Sequence, residues 1–405
     1  MNESMFEMNQ SNAEPTSVLV SIIISTYNRA NTISKPIDSV LAQTYPHFEL
    51  IIIDDGSTDN TDEVVAAYHD PRIIYKWVKN GERSRARNIG ISMSQGKYIA
   101  FMDSDDWFMP HKLSFQVNAM EANPEVGLAL GGWIVVDENG RKILSSHPWQ
   151  WIQSQPNLEQ WLFSATATLH SVLVRKTWFD KVTGFDPELN MAEDIELWMR
   201  LSLAGCQTMW TEDYVAAYVV HDSNSLRDWS NVKRGRMKFL NTIFQNPQIC
   251  EGLTVSKDEV YARFHLDLAW MAFAENLVPQ GQQELAQAVE LHPKYVAQNA
   301  DEIRQSIIDY SQHYMVSAPI QFVESVFDNL PPKLAFLQQY RRQTLGIALL
   351  SQAWRGREQG EYGRVRQTIT RAIWYTPNCL QNRGVWSLLF QAFVGRPFRW
   401  ALQKG

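Results

Sequence analysis

Two clusters of carboxylates follow short apolar runs in the first half of the chain. Asp54 and Asp55 come directly after FELIII, and Asp103, Asp105 and Asp106 follow YIAFM. Apolar runs of this length are typical of buried parallel strands, and open parallel sheets bind ligands outside the carboxyl ends of their strands. A turn with a helix cap would also explain the first cluster alone. Two clusters at one sheet edge favour a binding site.

The second cluster has the spacing of a metal site. In an extended backbone the carboxylates of Asp103 and Asp105 point to the same side, because only Ser104 separates them. Two like charges this close repel each other unless protons or a cation neutralise them. Mg²⁺ and Mn²⁺ prefer carboxylate and phosphate oxygens as ligands. The chain contains neither GxxxxGK[ST] nor GxGxxG, so these motifs do not hold a phosphate here.

A third acidic pair, Glu193 and Asp194, begins the amphipathic segment EDIELWMRLSLAG. Acidic residues in the first turn of a helix interact favourably with the helix dipole, which is one interpretation of the pair. The other interpretation is that the pair faces the same crevice as the two clusters and supplies a general base. The first-turn position is compatible with both.

The elements that position these side chains alternate between strand and helix. The apolar pattern predicts strands at residues 18–25, 49–53, 72–77 and 98–102, and helices at 32–43, 61–68 and 84–94. Alternation with short connections indicates an α/β fold with a mostly parallel, Rossmann-like sheet flanked by helices. A strand is also predicted at 126–136 and a helix at 194–203. Beyond Trp229 nearly every segment has helical periodicity, which predicts an all-α second domain.

The helical part contains a weak internal repeat. Ala269, Trp270, Ala288 and Pro293 recur as Ala353, Trp354, Ala372 and Pro377, each displaced by the same number of positions. Such a pattern resembles helical hairpins of the tetratricopeptide kind, although chance amphipathic helices explain it equally well. The predicted organisation is a flexible tail at 1–16, an α/β domain at 17–228 and a helical domain at 229–405.

Charge, cysteine content and apolar runs indicate which partners and which cellular compartment the protein is expected to have. The formal net charge of −7 argues against nucleic acid as a partner, because a phosphate-binding face normally has an excess of basic residues. The three cysteines are widely spaced and suit a reducing compartment. The first 17 residues lack the features of a signal peptide, and no apolar run reaches about 20 residues. These features predict a cytoplasmic protein whose contact with a membrane, if any, is peripheral.

Three motifs together resemble family 2 glycosyltransferases of the GT-A fold. They are VSIIISTYNRANTISKPIDSVLAQTYPHFELIIIDDGSTDNT, RARNIGISMSQGKYIAFMDSDDWFMPHKL and GFDPELNMAEDIELWMRL, in the family's order between Ser17 and Asn224. The resemblance implies inverting transfer of a hexose from a nucleotide diphosphosugar, with UDP the expected nucleotide, to an acceptor hydroxyl with help from Mn²⁺ or Mg²⁺. It also implies a role in polysaccharide or glycan biosynthesis.

The resemblance assigns a donor site to residues of the first two motifs: Ser25, Thr26, Tyr27, Arg29, Asp54, Asp55, Arg87, Asp103 and Ser104. Tyr27 would stack on the base, Asp55 would hydrogen-bond its imide, and Arg29 would lie near the phosphates. Arg87 belongs to the ARN segment beside the donor, although a surface position on a helix is an alternative for it. Asp54 would support the turn.

The resemblance also assigns the reacting groups. Asp194, with Glu193 beside it, is similar to the family's catalytic base, which takes the proton of the acceptor hydroxyl. The metal ligands would be Asp105, Asp103 of the DxD motif, and His221. A satisfied structural histidine is the alternative for His221 and the favoured interpretation of His170. The chain has no QxxRW segment, unlike processive synthases.

Two other functions are compatible with the same residues. The α/β half would bind a nucleotide sugar without transferring it if the protein were a scaffold that recruits partners through its helical half. A sugar-phosphate nucleotidyltransferase is a further alternative, although that class usually begins with a glycine-rich loop where this chain reads STYNRAN. For a transferase the acceptor would be a carbohydrate, a lipid-linked saccharide or a protein. The aromatic segment that ends in GRPFRWALQKG would either bind a membrane interface or cap the helical domain.

Overall fold

The computed structural model describes residues 19–164, 166–221, 224, 227–297, 300–358 and 360–394; the predicted flexible tail at 1–16 lies outside them. One sheet contains nine strands: β1 (Val20–Thr26), β2 (Phe48–Asp54), β3 (Ile73–Trp77), β4 (Tyr98–Asp103), β5 (Trp107–Phe108), β6 (Val126–Asp137), β7 (Lys142–Ser146), β8 (Val172–Arg175) and β9 (Gln207–Val220).

The helices fall into two groups along the chain. Those of the first 254 residues are α1 (Ser34–Leu41), α2 (Thr61–Ala66), α3 (Arg83–Met93), α4 (Lys112–Ala122), α5 (Leu158–Phe163), α6 (Glu193–Leu203), α7 (Trp229–Ile243) and α8 (Pro247–Gly252). Those that follow are α9 (Lys257–Ala274), α10 (Val278–Leu291), α11 (Asp301–Ser311), α12 (Pro319–Asp328), α13 (Arg341–Glu358), α14 (Tyr362–Tyr375) and α15 (Arg383–Val394).

The sheet has the strand order β3-β2-β1-β4-β8-β6-β9-β5, with β7 paired to β6. Strands β1 to β4 are mutually parallel, as the alternation of strands and helices predicts. Beyond β4 the sheet becomes mixed, because β8 is antiparallel to both β4 and β6. The α/β class is confirmed, and the second half of the domain adds the antiparallel strands.

The central strands are buried because their sequences are apolar on both faces. The strands VSIIIST, FELIIID and YIAFMD bury nearly every side chain between the helices on either side. Their register places Thr26 beside Asp54 and Ser25 beside Asp103. The two acidic clusters therefore lie at one edge of the sheet, as expected from the sequence.

The chain forms two compact units that interleave in sequence between Leu226 and Thr254. The first contains the sheet and also residues 234–254, and the second contains residues 226–233 and everything from Val255 onward. In the second unit, every element with assigned bounds is helical among the residues that the structure describes. Within the described part of the chain, no helix combines the length and apolar character needed to cross a membrane.

Two pairs of helices in the second unit are related by a sequence shift. Shifted by 84 positions, the bounds of α9 become those of α13 and the bounds of α10 become those of α14. A short 3₁₀ helix beginning at a proline follows each pair, at Pro293 and at Pro377. Ala288 and Ala372 are both fully buried at matching positions of the second helix. The repeat in the sequence therefore corresponds to a repeated pair of helices.

Candidate active site

Asp54 is a buried support for the turn after β2. One carboxylate oxygen accepts the backbone N–H of Ser57 at 2.7 Å and the other accepts the hydroxyl of Tyr75 at 2.6 Å. Burial and the neighbouring carboxylate of Asp54 raise the pKa of Tyr75, so its hydroxyl remains a donor. Both oxygens of Asp54 are therefore used inside the protein, in agreement with a structural role.

Asp55 directly follows β2 and is held in place by backbone hydrogen bonds. Its backbone N–H donates to the carbonyl of Thr26 at 2.8 Å, and its carboxylate accepts the N–H of Gly81 at 2.8 Å. Burial raises the pKa of the Asp55 carboxyl, while the backbone donors oppose this. Gly56 has φ of +86°, and a Cβ there would lie 2.9 Å from the backbone nitrogen of Asn80. Only glycine fits this turn without strain.

The loop after β1 is tied to the same turn. Asn28 adopts a left-handed conformation with φ of 51°, and its side-chain oxygen accepts the N–H of Thr58 at 2.8 Å. Its own N–H donates to the hydroxyl of Ser57 at 2.8 Å. Tyr27, just before it, is 48% exposed at the end of the strand. A ring held on a fixed loop in this way can stack on a planar ligand.

Arg87 links β4 to α6 inside the protein. Its side chain is 2% exposed and donates to Asp103 at 2.7 Å and to Glu193 at 2.5 Å. The alternative of a surface position for Arg87 is therefore wrong. Burial disfavours its charge, but the two carboxylates outweigh burial and raise the pKa of Arg87 above its ordinary value. Arg87 thus remains a cation on which two of the predicted site residues converge.

Asp194 begins α6 beside this ion pair. Its carboxylate accepts the N–H of Ile195 at 2.9 Å, and the preceding Ala192 has φ of 57°. Burial raises the pKa of Asp194 to about 6, the charge of Glu193 adds to the shift, and Arg87 opposes it. Glu193 is paired with Arg87, whereas Asp194 has a carboxylate of raised basicity. Of the two carboxylates, Asp194 is therefore the one with the higher affinity for a proton.

The expectation that Asp103 and Asp105 point to the same side of an extended strand is wrong. Strand β4 ends at Asp103, and the next two residues form a turn in which the N–H of Asp106 approaches the Asp103 carbonyl at 3.4 Å. Asp103 pairs with Arg87 instead, and Asp105 lies 3.0 Å from Nε2 of His221. Separate cationic or hydrogen-bonding partners therefore relieve the repulsion that the sequence pattern implies.

Asp105 and His221 lie in the wall of an open cavity of about 460 Å³. Arg29, Thr32, Lys35 and Asp38 also line it. The hydrogen bond to Asp105 raises the pKa of His221, although burial opposes the shift. Basic and acidic groups therefore share a space large enough for a diphosphate group.

The donor groups at this cavity fit a divalent cation that substrate oxygens complete. A carboxylate and an imidazole converge within 3.0 Å, and both are accepted ligands of Mn²⁺. No group of three or more His, Cys, Asp or Glu side chains suited to a metal was found among the described residues. Of the three predicted ligands, the structure brings together Asp105 and His221 and places Asp103 on Arg87.

Two residues near the cavity were given no individual role from the sequence, Asp106 of the second acidic cluster and Lys35. Asp106 accepts the N–H of Val219 at 2.8 Å and lies 2.8 Å from Nδ1 of the buried His170. Burial raises the pKa of Asp106 to about 6, although His170 opposes the shift. Asp106 thus fixes the end of β9 two residues before His221. His170 is 2% exposed and therefore lies in the core as predicted, but its Nε2 has no hydrogen-bond partner among the described residues, so it is not fully satisfied.

Lys35 is the second residue that the sequence did not single out. Its ammonium group lies 3.4 Å from the centroid of the Trp107 ring and lines the same cavity. Partial burial lowers the pKa of Lys35, although the carboxylates of Asp137 and Asp106 oppose this. A lysine in the first turn of a helix gives no local signal of its role, because most such lysines are solvated.

Comparison with known proteins gives the family. The family model described as Glycosyl transferase family 2 matches residues 21–182. An uncharacterized glycosyltransferase of Rickettsia typhi is 31% identical over 236 residues, which are 55% of this chain and 73% of that protein. A UDP-Glc:alpha-D-GlcNAc-diphosphoundecaprenol beta-1,3-glucosyltransferase of Escherichia coli is 44% identical over 106 residues, or 25% of this chain and 41% of that protein.

Two solved structures also match the chain, at low identity. S. aureus TarS 1-349 in complex with UDP-GlcNAc is 18% identical, covers 84% of this chain and 92% of its own, and has a TM-score of 0.46. A mannosyltransferase from Pyrobaculum calidifontis in complex with GDP-Man and Mn²⁺ is 16% identical. The match covers 76% of this chain and 86% of that protein, with a TM-score of 0.47.

The relatives differ in how much of their length the match includes. The chain spans 58% of an uncharacterized glycosyltransferase of Rickettsia prowazekii, with 35% identity over 189 residues, or 45% of this chain. The family match at 21–182 includes β2 and β4 with their acidic ends and all of β1 except Val20. This chain belongs to glycosyl transferase family 2.

Proposed function

We propose that this protein transfers a sugar from a nucleotide diphosphosugar to an acceptor hydroxyl and inverts the anomeric centre. One observation carries the proposal: a carboxylate of raised pKa, Asp194, stands beside the buried bridge from Glu193 through Arg87 to Asp103. Base and donor-site residues thereby belong to one connected network. A scaffold without activity would have no need for a base of this kind.

The donor is bound at the carboxyl ends of β1, β2 and β4. The exposed ring of Tyr27 stacks on the nucleotide base, and Asp55 accepts from it. Ser25, Thr26 and Ser104 complete the nucleoside site; Arg29, which lines the cavity, faces the diphosphate. UDP is the proposed nucleotide, in line with the UDP-Glc in the name of the Escherichia coli relative.

Asp194 acts as the general base. As the acceptor oxygen attacks the anomeric carbon, its proton passes to the Asp194 carboxylate while the bond to the diphosphate breaks. Arg87 has two tasks here: its charge lowers the pKa of Asp103, and it limits how far the pKa of Asp194 rises. A single displacement of this kind needs no covalent enzyme intermediate and inverts the centre.

Asp105 and His221 are the proposed ligands of a divalent cation, Mn²⁺ or Mg²⁺, with Asp103 close by. When bound, such an ion neutralises negative charge on the oxygens of the leaving diphosphate. Lys35 and Arg29 add positive charge to the same cavity.

The test is a direct assay of the full chain with UDP-glucose, UDP-N-acetylglucosamine and other UDP-hexoses. Saccharides linked to a diphosphate lipid serve as acceptors, and released UDP is measured. Product of inverted configuration by NMR would support the proposal. Tight donor binding with neither transfer nor donor hydrolysis across these acceptors would contradict it and favour a binding protein.

A further inference from the structure

The end of the chain carries a positive charge that the remainder lacks. Residues 341–405 contain eleven Lys and Arg against two Glu, out of 37 basic and 44 acidic residues in the whole chain. The net charge is therefore +9 in this segment and −16 in the preceding 340 residues. Eight of the eleven basic residues are arginines of α13, α14 and α15. Charge asymmetry of this size indicates an acidic partner for one end of the molecule.

Helix α15 has two apolar faces. The inner face packs with α13 and α14 in a small core through Val385, Leu388 and Ala392. A second face bears Trp386, Phe390 and Phe393, which are 56%, 45% and 60% exposed. We call these three residues the aromatic stripe. Their spacing of four and three positions places them on one side of the helix.

Exposed arginines lie on α15 itself and on the neighbouring helix α14. Arg383 precedes Trp386 by three positions and so lies on the same face. Arg366 and Arg371 are exposed on α14, which packs against α15. Among the described residues of α14 and α15, the ion pairs are limited to Arg364 with Glu361 at 3.3 Å. Arg366, Arg371 and Arg383 thus have no acidic partner within the described chain.

We propose that the aromatic stripe, with Arg366, Arg371 and Arg383, binds the surface of a membrane that contains anionic phospholipids. Tryptophan and phenylalanine on one side of a helix enter the headgroup region, and nearby arginines attract the negative lipid surface. The complementary charge selects a lipid surface over a neutral protein partner, and the stripe supplies the contact that charge alone would lack.

Membrane binding by α15 would extend the proposed function, and its role in the cell rests on that function. A transferase held at a lipid surface would act on acceptors attached to a lipid diphosphate, as the name of the Escherichia coli relative describes for that protein. Vesicle binding is measured without any sugar transfer. Each proposal can therefore fail while the other holds.

The experiment is co-sedimentation of the full chain with vesicles of phosphatidylcholine, with and without phosphatidylglycerol. We expect binding that requires phosphatidylglycerol and weakens with added salt. Replacing Trp386 and Phe393 together by serine should weaken binding roughly tenfold. Each Arg→Gln change at positions 366, 371 and 383 should weaken it about fivefold.

The matched control replaces two exposed aromatic residues of the first unit, Trp151 and Phe115, by serine. This variant should bind vesicles as the unchanged protein does, and circular dichroism should show both variants folded. Equal binding to both kinds of vesicle, or undiminished binding of the stripe variant, would overturn the proposal. So would a dimer in sedimentation velocity that the stripe variant dissociates while vesicle binding persists.

Discussion

Arg87 and Glu193 are 106 positions apart and are joined by an ion pair of 2.5 Å, with side chains 2% and 6% exposed. The pair fixes the start of α6 against α3. Because Arg87 also reaches Asp103 at the end of β4, the position of α6 is coupled to the edge of the sheet. The backbone that carries Asp194 is therefore anchored through Glu193 by an ion-pair network.

Asp194→Asn should lower kcat by about 10²–10⁴-fold, because the amide cannot accept the acceptor's proton. The Kd for the UDP-sugar should stay within about twofold, which calorimetry can measure. Glu188→Gln changes an exposed carboxylate near α6 and serves as the control. Full turnover by Asp194→Asn would remove this residue as the base.

The activity should fall as pH drops through about 6. Burial and Glu193 raise the pKa of Asp194 to about 6, so the basic form that catalysis needs dominates above that value and is lost below it. The kcat profile should therefore show an acid limb of unit slope near pH 6. Asp106 has a similar pKa, but it is buried, pairs with His170 and accepts the N–H of Val219, so Asp106→Asn should leave the limb in place. A flat profile down to pH 4.5 would contradict the assignment.

Arg87→Met should destabilise the folded protein by about 3–5 kcal/mol, because it leaves two carboxylates without their buried cation. Unfolding in urea, followed by circular dichroism, measures the loss. Removing Glu193 as well, by Glu193→Gln, should recover part of it, since one uncompensated charge disappears. Arg85→Met, on the same helix but exposed, is the matched control. A loss below about 1 kcal/mol would show that the ion pairs contribute little.

Asp105→Asn and His221→Ala should each weaken Mn²⁺ binding in the presence of UDP by on the order of tenfold or more. Each change removes one of the two groups that converge at 3.0 Å. Calorimetry with chelated and reloaded protein gives the affinity directly. The control is His69→Ala, at an exposed histidine. Unchanged affinity in both variants would place the metal elsewhere.

Gly56→Ala should cost about 1–3 kcal/mol of folding free energy, because an alanine at φ of +86° is strained and its Cβ would meet Asn80 at 2.9 Å. Gly140 has φ of +77° with open space around a Cβ, so Gly140→Ala isolates the backbone strain from the contact. The difference between the losses of unfolding free energy in the two variants, measured in urea, gives the cost of the contact with Asn80. Equal losses would show that Asn80 gives way.

Local patterns predicted the strands and helices of the first unit well. Strands β1, β2 and β4 lie within two residues of their predicted bounds, because their apolar runs are continuous and end in charged turns. The shared edge of Asp55 and Asp103 followed from parallel pairing alone. Four residues of the sequence indicated a repeat of 84 positions, and helices with the same spacing, such as α9 and α13, correspond to it.

Contacts between distant segments could not be predicted in the same way. The approach of His221 to Asp105 spans 116 positions and depends on β9, whose pairing with β6 shifts register. The divergence of Asp103 and Asp105 depends on where β4 ends, and single-residue strand bounds are set by tertiary hydrogen bonds. The burial of Arg87 depends on α6, which no pattern in the ARN segment reveals.

The repeated pair of helices in the second unit has a thermodynamic consequence. In stacked helical hairpins each hairpin contacts mainly its neighbours, so unfolding proceeds by segments rather than as a single event. The α9–α10 hairpin and the α13–α14 hairpin belong to different hydrophobic cores for most of their residues. Hydrogen exchange should therefore give the α13–α14 hairpin, whose hydrophobic core is the smaller of the two, its own, lower opening free energy, and the sheet need not unfold when that hairpin opens.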